Sequence, residues 1–271
     1  MQPTQRPTVY LGDHTVVTKT LDGHMLYLDT RDRGVTPTIL MHGHWERRVS
    51  ACLARVLRPG MRVVEVGANI GAHTIEIAEL VGPTGHVTAF EANPRTADLL
   101  RTNLDVNGLL ERCEVRAEAA SDRTGTITFY ALATHQGSCS TIAFDADFLA
   151  RIGDRATEIQ APCVRVDDVI SGRVDVIKVD AEGSEPFVFG GMTETIRRNP
   201  AVQILCEFNP SFLRRAERDP REFLQARIAE GFNLRVITPN GAVEPATPDA
   251  LLSAERGALW GTDHELFLSR Q

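Results

Sequence analysis

From Met61 onward the chain repeats one unit: a short apolar or β-branched run, a turn at glycine or asparagine, and an amphipathic helical stretch. Strands separated by helices return parallel, so this order predicts an α/β fold with a parallel sheet covered by helices on both faces. Strands are expected at residues 61–66, 86–90, 114–117, 174–179, 202–208 and 233–238, and helices at 70–80, 94–107, 185–198 and 211–230. Two features break the alternation. About 55 residues separate the third and fourth strands, a length that in a compact domain points to a lid or binding loop. They include a hairpin-like stretch at 125–130 and a polar loop, His135-Gln136-Gly137-Ser138-Cys139-Ser140-Thr141. The last strand, 265–269, has no helix after it and is expected to pair antiparallel at the sheet edge.

Before this region, residues 8–30 alternate apolar and polar around Asp22-Gly23, which predicts a β-hairpin. Residues 39–57 then read as one helix stopped by Arg58-Pro59-Gly60. The expected organisation is a hairpin and helix cap over 1–57 and one domain over 58–271, with an insertion at about 123–165. The net charge of −7 argues against a broad nucleic-acid-binding face. No apolar run suits a membrane span, and the first residues lack a signal-peptide pattern, so a cytoplasmic location is expected. The five dispersed cysteines read as reduced thiols.

The chemistry concentrates first in Val63-Val64-Glu65-Val66-Gly67-Ala68-Asn69-Ile70-Gly71, a buried strand entering a glycine-bracketed turn and a helix. Free amides at that helix start are expected to meet an acceptor group of a ligand. A dinucleotide site would carry a middle glycine to admit the pyrophosphate; Ala68-Asn69-Ile70 stands there instead. Glu65 would repel a pyrophosphate but attract an ammonium, which fits the methionyl end of S-adenosylmethionine. Glu91 ends the next strand close to the ~20-residue offset of an acid that binds ribose hydroxyls. Glu118 follows the third strand, where an adenine would lie.

At this point the residues resemble the FkbM family of methyltransferases. The resemblance rests on Glu65 to Gly71 with Thr74, Ala89-Phe90-Glu91-Ala92-Asn93-Pro94, Asn103 to Gly108, Ala119-Ala120-Ser121-Asp122 with Gly125, Gly137-Ser138-Cys139-Ser140, Val166-Asp167-Asp168, Ile177 to Gly183, and Glu207. It implies a Rossmann-like class I methyltransferase fold, a seven-stranded, mostly parallel sheet with an antiparallel last strand. It further implies S-adenosyl-L-methionine as cofactor, S-adenosyl-L-homocysteine as product, and O-methylation of a sugar, glycan or natural-product hydroxyl. The chain departs from the family in having Glu65 where aspartate is common, Cys139 in what is often a serine run, and His73 at a variable place.

The expected cofactor-facing residues are Glu65, Gly67, Ala68, Asn69, Gly71, Thr74, Glu91, Ala92, Asn93, Glu118, Ala119 and Asp180. Methyl transfer to an alcohol needs a group that removes the proton. Asp180 is the first choice, as base or acceptor-orienting group; Glu182 is second and His135 the rival base. Both carboxylates face one side if the fourth strand persists through Glu182. Lys178 is expected to pair with an acid such as Glu207. Ser138, Ser140, Glu207, Asn209, His42 and His44 are candidates for acceptor contact. Asp180, Glu182 and Glu207 suit a divalent metal by ligand type, although their spacing does not demand one. Two other readings share these features: an NAD(P)-dependent oxidoreductase, and a catalytically silent methyltransferase-like binding domain. Against the first, none of Tyr10, Tyr27 and Tyr130 has a lysine four residues on.

Overall fold

A computed structural model describes residues 6–253 and 263–270. Three strands, β1 (Thr8–Gly12), β2 (Thr15–Lys19) and β3 (Met25–Asp29), form a small antiparallel sheet of their own. The repeating region supplies β4 (Arg62–Val66), β5 (His86–Phe90) and β6 (Cys113–Arg116). The insertion supplies β7 (Ala119–Ala120), β8 (Gly125–Leu132) and β9 (Ala156–Val164), and the remainder β10 (Val176–Val179), β11 (Gln203–Phe208), β12 (Asn233–Ile237), β13 (Val243–Pro245) and β14 (His264–Ser269). Among the described residues the main sheet has eight strands, in the order β13-β12-β14-β11-β10-β4-β5-β6.

The five strands from β6 to β11 run parallel. Side-chain alternation sends Val63 and Val176 into one apolar core and Val64, Val66, Ile177 and Val179 into the other, so both sheet faces are dry. The last strand is not at the edge, as expected from sequence, but inserts antiparallel between β11 and β12. The reason lies in its composition: Leu266, Phe267 and Leu268 are all buried, and burying consecutive residues requires cover on both faces. The strand beyond the seven implied is β13, which pairs with β12.

Three expected helices are each broken in two. Residues 39–57 give helices Val35–His42 and Arg47–Val56, parted where Gly43 and Glu46 adopt left-handed backbone (φ 76° and 33°). The 185–198 segment divides into Glu185–Gly190 and Thr193–Arg198, and 211–230 into Pro210–Arg215 and Pro220–Ala229, where Pro220 opens a new first turn capped by Asp219. The N-terminal hairpin gains a strand through a further turn at Asp13-His14. The stretch at 125–130 belongs to β8, whose partner is the distant β9.

Gly67 ties this fold to its site. Its φ is +77°, and a Cβ there would run into the carbonyl oxygen of Asp180. The turns after β4 and β10 can approach each other because no side chain lies between them. Gly67→Ala is expected to destabilise the protein by several kcal/mol, about 3 or more, from strain plus backbone displacement. Gly153→Ala, also left-handed but in open space, is expected to cost only about 1 kcal/mol. Thermal melts of the two variants check this; equal losses would contradict it.

Candidate active site

The carboxyl ends of β4, β5, β10 and β11 open onto a cavity of about 440 Å³, the crevice that a parallel sheet leaves at its topological switch point. Gly67, Ala68, Asn69 and Ile70 form one wall. Their amides are not free, as expected from sequence. Those of Gly67 and Ala68 donate to Phe90 O (3.0 Å each), that of Asn69 to Glu91 Oε2 (2.9 Å) and that of Ile70 to Asn69 Oδ1 (2.7 Å). Ala72 and His73, in the first turn of helix Ala72–Val81, also line the cavity.

Glu91 fastens two turns at once, since its Oε1 accepts from Asn93 N (2.8 Å) while Oε2 holds Asn69. Burial pushes its carboxyl up to about 7 despite those amides. It lines the cavity with Ala92, Glu118 and Ala119, and Glu118 is itself paired with Arg116 (2.7 Å). Glu65 lies deeper, 1% exposed, accepting from Thr74 Oγ1 (2.7 Å) and level with Lys178 on the neighbouring strand. Gly71, Thr74 and Asn93 stand one layer behind the wall. A Cβ at Gly71 would strike Leu100, Thr74 holds Glu65, and Asn93 caps helix Pro94–Val106 by accepting from Arg95 N.

On the opposite wall β10 stops at Val179, so Asp180 and Glu182 do not share a strand face as expected. A turn through Glu182 (φ 53°) and Gly183 (φ 96°) swings them inward instead. Carboxylate oxygens of Asp180, Glu182 and Glu207 then lie within 4.8 Å of one another, an oxygen-only set of the kind a hard divalent cation takes. Lys178 Nζ bonds Asp180 Oδ2 (3.0 Å), not Glu207. Glu207 Oε2 is buried with no hydrogen-bond partner among the described residues. Burial and the neighbouring acids raise Glu182 and Glu207 well above the usual carboxylate range. Close carboxylates disfavour one another's charge, so the cluster resists full ionisation. Glu185, which sequence reasoning missed, braces the turn by accepting from Ala181 N (3.0 Å) and Gly183 N (3.2 Å).

The insertion closes the top. His135 lines the cavity with its Nδ1 2.8 Å from Asp154 Oδ2. Burial opposes the Asp154 charge, but bonds from His135, Arg155 and Thr134 hold its carboxyl down at about 2. Ser138 lines the cavity, and Ser140 donates from Oγ to Glu182 O (2.8 Å). Asn209 also reaches the wall while capping helix Pro210–Arg215. His42 and His44 lie outside it, their rings stacked on each other. The adjacent Trp45 and Glu46 line the cavity, as does Asp263, none of them expected, and His73, the departure noted after the second glycine, lines it too. Buried His73 links two acids: Nε2 is 3.1 Å from Glu46 Oε2 and Nδ1 is 3.2 Å from Glu76 Oε2. The i,i+3 spacing of His73 and Glu76 was legible; Glu46 carried no signal.

The Methyltransferase FkbM domain model matches residues 65–232. Among curated proteins, the chain is similar to protein-L-isoaspartate O-methyltransferase of Methanothrix thermoacetophila, 49% identical over 49 residues (18% of this chain, 23% of that protein). It is similar also to that of Methanopyrus kandleri, 38% identical over 86 residues (30% and 38%). The chain thus matches well under half the length of these relatives. Among solved structures it resembles methyltransferase FkbM from Methylobacillus flagellatus KT, with a TM-score of 0.47 and 14% identity, covering 79% of this chain and 48% of that one. It also resembles an S-adenosylmethionine-dependent O-methyltransferase from Thermotoga maritima, with a TM-score of 0.46, 14% identity and coverage of 98% and 85%.

Burial disfavours the His73 charge, yet Glu46 and Glu76 push its pKa up to about 9. A folded-state value above the ordinary one near 6.5 stabilises the protein below that pH, and the contribution is lost as pH rises through about 9. Wild type should therefore lose stability between pH 6.5 and 9 relative to His73→Gln. Melts across that range check it; parallel curves would contradict it.

Proposed function

The chain belongs to the FkbM methyltransferase family, and from this we propose that it transfers a methyl group from S-adenosylmethionine to a hydroxyl of a sugar, glycan or natural-product acceptor. The observation that carries the reading is one cavity with a nucleoside-type wall at Gly67–Ile70 and Glu91 and a carboxylate cluster facing it. The turn amides are consumed by Phe90 O, Glu91 and Asn69, which leaves no amide nest for a pyrophosphate and weighs against a nicotinamide dinucleotide. Glu91 keeps spare lone pairs on both oxygens to accept from ribose hydroxyls. Residues 1–57 act in this reading as a cap on the domain at 58–271, and the insertion at 123–165 helps select the acceptor.

Bound S-adenosylmethionine supplies an electrophilic methyl on a sulfonium. The chain's part is to align the acceptor oxygen, exclude water and take the proton. Asp180 is the proposed base, with Glu182 beside it; His135, held from behind by Asp154, is the second candidate proton acceptor on the same walls. The cluster favours donors such as hydroxyls and repels a carboxylate. That separates this acceptor from the protein L-isoaspartate in the names of the curated relatives. A net charge of −7 and acidic walls favour no nucleic-acid acceptor.

S-adenosylhomocysteine should raise the melting temperature by mass action and NAD should not; the reverse would overturn the cofactor assignment. Glu91→Gln replaces one acceptor oxygen with a donor amide and should weaken S-adenosylhomocysteine binding by about tenfold or more. Isothermal titration reads that loss, and an unchanged affinity would remove Glu91 from the ribose site. With labelled S-adenosylmethionine and a panel of sugars and polyols, Asp180→Asn should cut transfer by roughly a hundredfold or more. Unaltered turnover would transfer the role of base elsewhere.

A further inference from the structure

Glu46 stands at the start of helix Arg47–Val56 with left-handed backbone, and its side chain does not cap that helix. It crosses instead to His73 in the first turn of helix Ala72–Val81, the helix that leads out of the Gly67–Gly71 turn. One bond therefore fixes a carboxylate from the N-terminal region over the opening of the cofactor wall. Glu46 is 25% exposed and lines the cavity.

Exposure and bonding distinguish it from Glu65, the acid first expected to meet the methionyl ammonium. Glu65 is 1% exposed, is bonded by Thr74, and faces the ammonium of Lys178 across the strand register, so its counter-charge is already in place. Glu46 shares one imidazole with Glu76. Burial opposes the Glu46 charge, but His73, Lys178 and Arg48 hold its carboxyl below the ordinary range, so it stands at the cavity edge as a carboxylate. Of the pair, the acid with reach into the cavity is Glu46, 25% exposed against 1% for Glu65.

We propose that Glu46 holds the ammonium of the methionyl end of S-adenosylmethionine, a recognition residue supplied from outside the matched segment 65–232. Glu65 then supports the floor beneath it through Thr74 and Lys178. The inference rests on the cofactor assignment above, and its test separates the two.

The probes are S-adenosylhomocysteine, which carries the ammonium, and 5′-methylthioadenosine, which lacks the amino-acid end, each titrated calorimetrically. Glu46→Gln keeps the shape and a hydrogen bond to His73 but removes the charge. It should weaken S-adenosylhomocysteine by about ten- to a hundredfold, the range for a lost charge-assisted bond, and leave 5′-methylthioadenosine within about twofold. Retained 5′-methylthioadenosine binding also reports an intact fold. Equal losses for both ligands, or none for either, overturn the inference. Glu46→Asp keeps the charge but draws the carboxylate back by one methylene and should weaken S-adenosylhomocysteine by about threefold or more with 5′-methylthioadenosine within about twofold, so it decides the matter if Glu46→Gln unfolds; an unchanged S-adenosylhomocysteine affinity there overturns the inference too. If wild type binds neither ligand, the cofactor assignment fails and the role of Glu46 falls with it.

Discussion

Lys178 is a cation on β10, inside the parallel part of the main sheet and 4% exposed, and the acids of the site are arranged around it. Burial disfavours its charge, yet Asp180, Glu65, Glu46 and Glu265 together hold the ammonium above its ordinary pKa. The dependence runs both ways. Without Lys178 these carboxylates would face one another in a dry crevice, and removing one partner of a buried pair costs on the order of 3–5 kcal/mol. The ion pair with Asp180 also fixes the first residue beyond β10, from which the turn carries Glu182 toward Glu207. The nucleoside wall and the acceptor wall thus meet over one buried amine.

The sheet was largely legible because parallel strands buried on both faces leave continuous apolar runs, and six were located within about two residues of their observed ends. What escaped reading came from tertiary contact. In the break between helices Glu185–Gly190 and Thr193–Arg198, Gly191 packs so close to Ser121 O, just past β7, that a Cβ would strike it, an approach no local pattern encodes. The last strand was recognised but misplaced, since pairing order depends on which neighbours cover Leu266 and Leu268.

The site divides along the same line. Gly67 to Asn69, Glu91 and Asp180 sit at strand ends, where topology alone directs them to the crevice, and all line the cavity. Glu46, Trp45 and Asp263 reach it through packing between distant segments. His42 and His44 were attractive by residue type, but the left-handed turns at Gly43 and Glu46 bring the next two residues to the cavity instead. The glycines also changed meaning. Gly67 is required by the Asp180 carbonyl and Gly71 by Leu100, so both serve the protein's own packing before any ligand.

The central claim is that one cavity holds the cofactor against Glu91 and directs its sulfur at the carboxylates of Asp180, Glu182 and Glu207. A crystal structure with S-adenosylhomocysteine bound tests it most directly. The account predicts ribose hydroxyls on Glu91 and the sulfur facing the carboxylate cluster. A ligand seated outside the Gly67–Ile70 wall, or with its sulfur turned away from those acids, would contradict it.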